Sequence, residues 1–210
     1  MKVIVIGANG KTATRVVRLL KENDVHEPVA MIRNLEQRQK FDDLGVATVL
    51  ADLEYPIDNA IKGCDAIIFA AGSGGQTGKD KTVLVDHIGA IRSMVAAHVH
   101  GARRYVMLSS INADENSTSK IAHYHKAKAM ADRHLMDTDL DWTIICPGGL
   151  RDDEGNGRVS VSEKTHQEGI TTRDNLASAL VACLDLDNTI GKRFSLLEGE
   201  TPMLDALRSV

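Results

Sequence analysis

Long apolar runs are missing from this sequence, and their absence excludes two classes of protein. No stretch approaches the roughly 20 apolar residues of a transmembrane helix. The N-terminal apolar run ends after Ile6 in a glycine turn, so it is too short for a signal peptide. We therefore expect a cytoplasmic protein with no membrane partner.

An excess of positive charge is also absent. The 25 lysines and arginines are outnumbered by 29 aspartates and glutamates, which gives a net charge of −4. Proteins that bind nucleic acid or an anionic membrane through a broad surface carry the opposite balance. We expect a small-molecule substrate and no nucleic-acid partner, and the sequence leaves both a monomer and a homodimer open.

Cysteine is scarce, and the few histidines are poorly placed for a metal. The three cysteines, Cys64, Cys146 and Cys183, are scattered without metal spacing, which indicates a reducing compartment and buried thiols. His123 and His125 lie close together but have no cysteine or carboxylate at a ligand spacing. We predict no metal site.

The remaining composition is that of an ordinary globular domain. With 210 residues, 43% hydrophobic and 26% charged, the chain is long enough for one substantial core. We predict a single domain over residues 1–210. Predicted strands alternate with predicted helices, which is typical of an α/β protein with a doubly wound parallel sheet. The predicted strands are Lys2–Ile6, Pro28–Ile32, Val46–Leu50, Ala66–Ala70, Tyr105–Leu108, Trp142–Cys146, Arg158–Val161 and Arg193–Leu197.

The first strand runs directly into a turn built for phosphate. Gly7, Gly10 and Ala13 follow the strand at three-residue spacing and open a helix with an apolar stripe. A helix start without side-chain bulk presents free N–H groups to a pyrophosphate, as in dinucleotide-binding proteins. A P-loop is excluded, because that motif needs glycine where this chain has Val5.

The second and third predicted strands end in polar residues. Arg33 follows the second strand, where an arginine pairs with the 2′-phosphate of NADP and an acidic residue would favour NAD. A solvated surface arginine is the alternative. We predict NADP, with NAD possible. Asp52, after the third strand, is placed either to contact adenine or to cap its own turn.

A tyrosine and a lysine four residues apart supply candidate chemistry. Tyr124 and Lys128 share one face of a predicted helix, and a nearby ammonium lowers the pKa of a phenol. Ser110 follows the fifth strand and could hydrogen-bond a substrate oxygen. A cofactor that supplies hydride and a tyrosine that supplies the proton together reduce a carbonyl. Such pairs also occur on surfaces, so the position beside a predicted nicotinamide site is what favours chemistry.

These motifs resemble, in order, those of the short-chain dehydrogenase/reductase superfamily. The chain is most similar to its atypical extended branch, the compact NAD(P)-binding proteins related to the NmrA-like and biliverdin reductase B-like groups. The resemblance implies a Rossmann-like sheet and covers residues 2 to about 197. The motifs are Gly7-Ala8-Asn9-Gly10-Lys11-Thr12-Ala13, Asp52-Leu53, Ala70-Ala71-Gly72, Ser109-Ser110, Tyr124-x-x-x-Lys128 and Cys146-Pro147-Gly148-Gly149.

The resemblance also implies roles for individual residues. The residues implied to hold the pyrophosphate are Gly7, Asn9, Gly10, Lys11 and Thr12, and Arg33 would bind the 2′-phosphate. Asp52 and Leu53 would contact adenine. The residues implied to lie along the cofactor toward the nicotinamide are Ala70, Ala71, Gly72 and Ser109. Lys128 would bind the nicotinamide ribose, and the nicotinamide wall would be Pro147, Gly148, Gly149 and Leu150. Ser110, Tyr124 and Lys128 would be catalytic.

Two features depart from the family. An arginine often precedes Pro-Gly, where this chain has Cys146, so the contact made by that arginine is in doubt. Extended members also carry a large C-terminal substrate domain, but only about sixty residues follow Gly149 here. We expect a very small substrate-side extension, in which residues 151–172 and 198–210 form a cap.

Three functions remain open at this point. The first is an NADP-dependent reductase of a small carbonyl, quinone or flavin-like acceptor, with Tyr124 as acid/base. The second is a non-catalytic NADP(H)-binding sensor of the NmrA-like kind. The third is an NAD-dependent epimerase or dehydratase, which the missing substrate domain disfavours. Ser110, Tyr124 and Lys128 favour the reductase.

Overall fold

A parallel sheet covered by helices on both faces forms the centre of the molecule. The computed structural model describes residues 1–74, 77–164 and 168–210. Within these residues the main sheet has nine strands in the order β11-β8-β10-β6-β5-β4-β1-β2-β3. The predicted doubly wound, Rossmann-like sheet is confirmed.

Seven strands of this sheet are parallel. They are β1 (Lys2–Ile6), β2 (Glu27–Ile32), β3 (Ala47–Leu50), β4 (Ala66–Phe69), β5 (Arg104–Leu108), β6 (Asp141–Pro147) and β10 (Lys192–Glu198). The chain starts with β1 in the middle, builds outward to β3, and then returns to place β4 on the other side of β1. The order therefore reverses between β1 and β4, and this is where ligands bind in open α/β sheets.

The helices and the remaining strands complete the architecture. The helices are α1 (Lys11–Asn23), α2 (Arg38–Asp42), α3 (Asp58–Ile61), α4 (Lys79–Lys81), a π-helix (Thr82–Gly89), α5 (Ala90–His100), α6 (Ala122–Met136), α7 (Arg173–Ala182) and α8 (Met203–Arg208), with 3₁₀ turns at Leu35–Gln37, Cys183–Asp185 and Asp187–Thr189. Strands β8 (Arg158–Ser162) and β11 (Thr201–Pro202) join the main sheet antiparallel to their neighbours, and β7 (Gly149–Arg151) pairs with β9 (Ile170–Thr172) in a separate sheet. No helix in the described ranges is both long and apolar enough to cross a bilayer.

Side chains of the central strand alternate between two cores. Val3 and Val5 pack with α1 and α7 on one face, and Ile4 and Ile6 pack with α5 and α6 on the other. All four side chains are fully buried. A strand covered on both faces must be apolar at every position, and this explains the continuous β-branched run at the start of the chain.

Two further parts of the chain lie near the carboxyl ends of the strands. The helical segment between β4 and β5 is a π-helix up to Gly89 and an α-helix beyond it, with Asp86 buried in the π-helical part. Residues 151–172 and 198–210 were expected to cap the substrate side, and residues 165–167 of the first segment lie outside the described residues. In the described parts, β8 and β11 extend the main sheet and β9 joins β7.

Candidate functional site

The turn between β1 and α1 accepts only glycine at its first position. Gly7 has φ +83°, and a Cβ there would lie 2.6 Å from the Cα of Ala71. Ala71 follows the end of β4, so the two strand ends meet without side chains between them. Gly10 caps α1 and no side chain bonds to the first N–H groups of that helix. This turn offers backbone donors to an anion.

Two adjoining cavities form one groove across these strand ends. The smaller has a volume of about 320 Å³ and lies toward β2 and β3, and the larger has about 840 Å³ and lies toward β5, β6 and α6. Both are lined by Gly10 and by residues 70–72. The groove therefore has a narrow arm and a wide arm that meet at the glycine turn.

Every residue predicted for the site lines one of these arms. The smaller cavity is lined by Gly7, Asn9, Gly10, Arg33, Asp52, Leu53, Ala70, Ala71 and Gly72. The larger is lined by Gly10, Lys11, Thr12, Ala70, Ala71, Gly72, Ser109, Ser110, Tyr124, Lys128, Pro147, Gly148, Gly149 and Leu150. The structure thus brings the predicted residues together, although position alone does not assign their roles.

Arg33 stands at the mouth of the smaller cavity. Its side chain is exposed, and within the described residues its guanidinium has no hydrogen bond or ion pair. Its backbone N–H donates to Oε1 of Gln37 at 3.0 Å. Asp52, in the same wall, accepts the N–H of Glu54 through Oδ1 at 3.0 Å and so caps its own turn as well as lining the cavity.

Lys40 is a second cation, and it hydrogen-bonds to the glycine turn and to α1. The Nζ of Lys40 donates to Oγ1 of Thr14 at 2.6 Å and to Oδ1 of Asn9 at 3.2 Å. Partial burial and the nearby Arg18 lower the pKa of Lys40. The ammonium connects α2 to the turn and holds Asn9 in place at the edge of the smaller cavity.

Tyr124 and Lys128 project from one face of α6 into the larger cavity, as their spacing predicts. The Nζ of Lys128 donates to the carbonyl of Leu108 at 2.9 Å and lies 3.9 Å from Oδ1 of Asp86. The other oxygen of Asp86 accepts the N–H of Ser73 at 2.9 Å. The lysine is therefore a buried cation with a buried counter-charge.

The pKa of Tyr124 is raised, and not lowered as its spacing from Lys128 had indicated. Lys128 does lower the pKa of Tyr124, but burial raises it by more, and Asp86 raises it further. The sequence reveals the ammonium four residues from Tyr124, but burial and the opposing carboxylate of Asp86 arise only in the folded protein. Tyr124 is consequently held as a protonated phenol, the form that can donate a proton.

A second buried carboxylate lies beneath the strand end that carries Ser110. Asp132 accepts a hydrogen bond from the hydroxyl of Ser109 at 2.7 Å and another from Nε of Arg193 at 3.0 Å. Burial raises the pKa of Asp132, and Arg193 opposes that rise. A guanidinium thus reaches this corner from β10, next to Cys146, whose thiol pKa burial raises to about 12.

Asp152 bridges the loop after β7 to the start of α1. Its carboxylate lies 2.6 Å from Nζ of Lys11, 3.0 Å from Arg173 and 3.5 Å from Arg15. The hydrogen bond from Lys11 lowers the pKa of Asp152, so the group is charged at neutral pH. Lys11, predicted to bind pyrophosphate, is held here by a carboxylate at the edge of the larger cavity.

The groove fits an extended dinucleotide. The Gly7 turn leaves backbone space that a Cβ would fill, and α1 opens with uncapped donors. The smaller cavity contains an arginine that has no partner among the described residues, and the larger contains a phenol beside an ammonium. Phosphates at the centre, with a nucleoside in each arm, would match both the shape and the donors.

A model of NAD(P)H-binding proteins matches residues 7–187 of the chain. The chain belongs to this NAD(P)H-binding family. The predicted resemblance to the short-chain dehydrogenase/reductase superfamily is thereby confirmed, and an NAD(P)-binding protein with the fold of an oxidoreductase is established.

Relatives over the full length carry names of two kinds. The uncharacterized sugar epimerase YhfK of Bacillus subtilis is 44% identical, and the match covers 100% of both chains. A solved structure from Bacillus halodurans, named provisionally as an NAD-dependent epimerase/dehydratase, has a TM-score of 0.94 at 39% identity and covers 100% of both chains. The oxidoreductase ylbE from Lactococcus lactis has a TM-score of 0.88 at 29% identity, with 100% of this chain and 96% of that one covered.

Four polar residues of the site escaped the sequence argument. Asp86, Asp132 and Arg193 meet their partners only in the folded protein, across the sheet or between helices. Gln37 is a polar residue in a polar turn, which gave no signal of its own. A buried acidic residue inside an apolar helical stripe, such as Asp86 between Val85 and Ile88, is the one pattern that could have been noticed.

Proposed function

We propose that the protein is an NADP-dependent reductase of a small carbonyl, quinone or flavin-like acceptor. The observation that carries this proposal is the placement of Tyr124 and Lys128 on one helix face at the wall of the larger cavity. A protein that only bound the dinucleotide would have no use for a phenol poised beside a buried ammonium.

The cofactor would lie across the groove with its pyrophosphate over the glycine turn. The N–H groups at the start of α1 would hold the phosphates, and Arg33 would pair with the 2′-phosphate in the smaller cavity. Lys128 would hold the nicotinamide ribose, and residues 147–150 would form the wall behind the nicotinamide. When bound, the nicotinamide supplies a hydride to the acceptor.

The residues of the chain supply the proton and the orientation. Tyr124, kept protonated by burial, donates its phenolic proton to the oxygen of the acceptor as the carbon receives the hydride, so that C=O becomes CH–OH. Lys128 stabilises the phenolate that this leaves. Ser110 hydrogen-bonds the same acceptor oxygen. For a carbonyl, one hydride and one proton balance the step.

Residues 151–172 would close the substrate side of the larger cavity. Within that segment Glu168 and Gly169 line the cavity, and the flanking Leu150 and Arg173 line it too, which supports a small cap from this part of the chain. None of the described residues 198–210 lines either cavity, so we propose the cap for the first segment alone.

The test is Tyr124→Phe, assayed for NADPH affinity and for reduction of a panel of carbonyl, quinone and flavin acceptors. Loss of general acid catalysis should lower turnover about 10²–10⁴-fold and leave NADPH affinity within a few-fold. Tyr55→Phe is the matched control, since Tyr55 is 67% exposed and lines neither cavity. Tight NADPH binding with no acceptor reduced would favour the sensor instead.

The names of the relatives support an epimerase as the second candidate. An epimerase passes a hydride to bound NAD and returns it to the same substrate, so the configuration of a sugar carbon changes with no net change in the amount of reduced cofactor. Chromatography of sugar substrates incubated with the protein and NAD would detect this. Inversion at a carbon, lost in Tyr124→Phe, would replace the reductase proposal.

A further inference from the structure

The turn after β2 folds a glutamine back over the arginine at the mouth of the smaller cavity. Oδ1 of Asn34 caps the 3₁₀ turn by accepting the N–H of Glu36 at 3.1 Å, and the carbonyl of Asn34 accepts the N–H of Gln37 at 3.0 Å. Gln37 is thereby returned to the strand end, where it lines the cavity together with Arg33.

The hydrogen bond of Gln37 fixes which end of its amide is free. The backbone N–H of Arg33 lies 3.0 Å from the side-chain amide, at Oε1. Because a backbone N–H can only donate, the amide oxygen must face it. Within the part of the chain that the structure describes, the NH₂ group of Gln37 therefore has no acceptor, and it lies in the wall of the cavity.

The carboxylates near this position accept hydrogen bonds from groups other than Arg33 and Gln37. Asp52 accepts the N–H of Glu54 through Oδ1, and the carboxylate of Glu54 is held by Lys81. The exposed Glu36 accepts the side-chain amide of Asn34 at 3.2 Å. Within the described residues no carboxylate pairs with the Arg33 guanidinium, so a cation and a free amide donor share one rim.

We infer that Gln37 is a cofactor-selecting residue, whose side-chain NH₂ donates to the 2′-phosphate of NADP beside the guanidinium of Arg33. The inference rests on the proposed NADP preference and extends it by a second donor. A phosphate oxygen would accept charge-assisted hydrogen bonds from both groups. A ribose hydroxyl is neutral, so its hydrogen bonds with the same groups would be weaker. Gln37 also orders the backbone of Arg33, so the base of the arginine side chain and the amide are held next to each other.

Gln37→Glu tests this with a change of one atom. The carboxylate still accepts the N–H of Arg33, but its second oxygen replaces the donor and repels a phosphate. The Kd of NADPH should rise about tenfold or more, and that of NADH should stay within about threefold. The fragments 2′,5′-ADP and 5′-AMP should show the same split as competitors, which removes the nicotinamide half from the comparison.

Gln39→Glu is the matched control, since it adds the same charge two residues away on the exposed face of α2 and does not line the cavity. Gln37→Glu should leave the urea midpoint of unfolding unchanged, whereas Gln39→Glu should lower it slightly, because it replaces a hydrogen bond to Asp43 with a like-charge pair. A loss of NADPH affinity no greater in Gln37→Glu than in Gln39→Glu would overturn the inference. Equal weakening of both cofactors would also overturn it, because Gln37 would then only shape the turn. Equal NADPH and NADH affinities in the unmutated protein would instead overturn the NADP preference, and the role of Gln37 with it.

Discussion

The two arms of the groove treat charge in opposite ways. In the smaller cavity Arg33 is exposed and, within the described residues, its guanidinium has no partner. In the larger cavity Lys128 is 3% exposed and faces Asp86, which is fully buried, and Asp132 is paired with Arg193 nearby. One arm leaves a charge to be satisfied by a ligand, while the other neutralises its charges internally.

This difference separates selection from chemistry. An exposed, unpaired arginine costs the fold little and gives its interaction free energy to whichever phosphate arrives. A buried charge is expensive, so it must be paired within the protein, and its geometry is then fixed before any ligand binds. Substitutions in the smaller arm should therefore change ligand affinity, and those in the larger arm should change stability or proton affinity.

Arg193→Met should have the largest effect. It leaves the carboxylate of Asp132, whose side chain is 2% exposed, without its cation, and breaking such a pair costs about 3–5 kcal/mol. Urea unfolding measures the loss. Arg133→Met, which removes the exposed ion pair of Arg133 with Glu115, should cost less than about 1 kcal/mol. Equal losses in the two variants would contradict the contrast between the arms.

The same variant has a pH dependence of known sign. Burial already raises the pKa of Asp132 in the folded protein, and Arg193 opposes the rise. Without Arg193 the folded pKa rises further, so the folded variant takes up a proton at a higher pH than the unmutated protein. The stability deficit of Arg193→Met should therefore narrow as the pH falls from 7 toward 5. A deficit that widens over this range would contradict the assignment.

Arg33→Ala, in the smaller arm, should change cofactor affinity and not stability. It should weaken NADPH binding about tenfold to a hundredfold, or roughly 1.5–3 kcal/mol, and leave NADH affinity and the urea midpoint nearly unchanged. Fluorescence titration with both cofactors measures the split. A parallel loss of both affinities would mean that Arg33 acts on the shared pyrophosphate or on the fold.

The contrast between the arms also explains what the sequence could reveal. The first strand and the glycine turn are consecutive in the chain, and Arg33 directly follows the next strand, so local patterns were enough to predict these residues of the smaller arm. The pairing of Asp132 with Arg193 joins residues 61 positions apart, one on α6 and one on β10, which meet in the folded protein where β10 pairs with β6. Spacing on α6 predicted that Tyr124 and Lys128 share a face, but the net direction of the tyrosine pKa depends on burial, which no local pattern encodes.

Asp86→Asn should shift the proton affinity of the larger arm. Asparagine keeps an oxygen for the N–H of Ser73 but removes the charge that helps to raise the pKa of Tyr124. That pKa should therefore fall. Phenolate absorbance, titrated in this variant and in the unmutated protein, with Tyr124→Phe as the subtraction control, isolates the residue. An upward shift would mean that Asp86 acts mainly by keeping Lys128 in place.

Asp152→Asn should give the smallest change. Asp152 pairs with Lys11 at the start of α1, next to the glycine turn where the two arms meet. Its carboxylate is 46% exposed, so solvent screens its ion pairs with Lys11 and Arg173 and they should contribute little to stability. It is nevertheless an anion held by the cations nearest the expected pyrophosphate. Neutralising it frees Lys11 for the phosphates, so NADPH should bind about twofold to fivefold more tightly in 20 mM salt, and the gain should shrink at high salt as screening takes over.

The pH behaviour and a neighbouring residue sharpen this last test. Because Lys11 lowers the pKa of Asp152, the unmutated carboxylate is charged from pH 6 to 8, and the gain in the variant should be constant over that range. Asp153→Asn removes the same charge from the adjacent exposed residue and should change NADPH affinity less. If Asp152→Asn weakens NADPH binding instead, Asp152 must hold the loop after β7 over the bound cofactor. The centre of the groove would then resemble the larger arm, in which charges are paired within the protein.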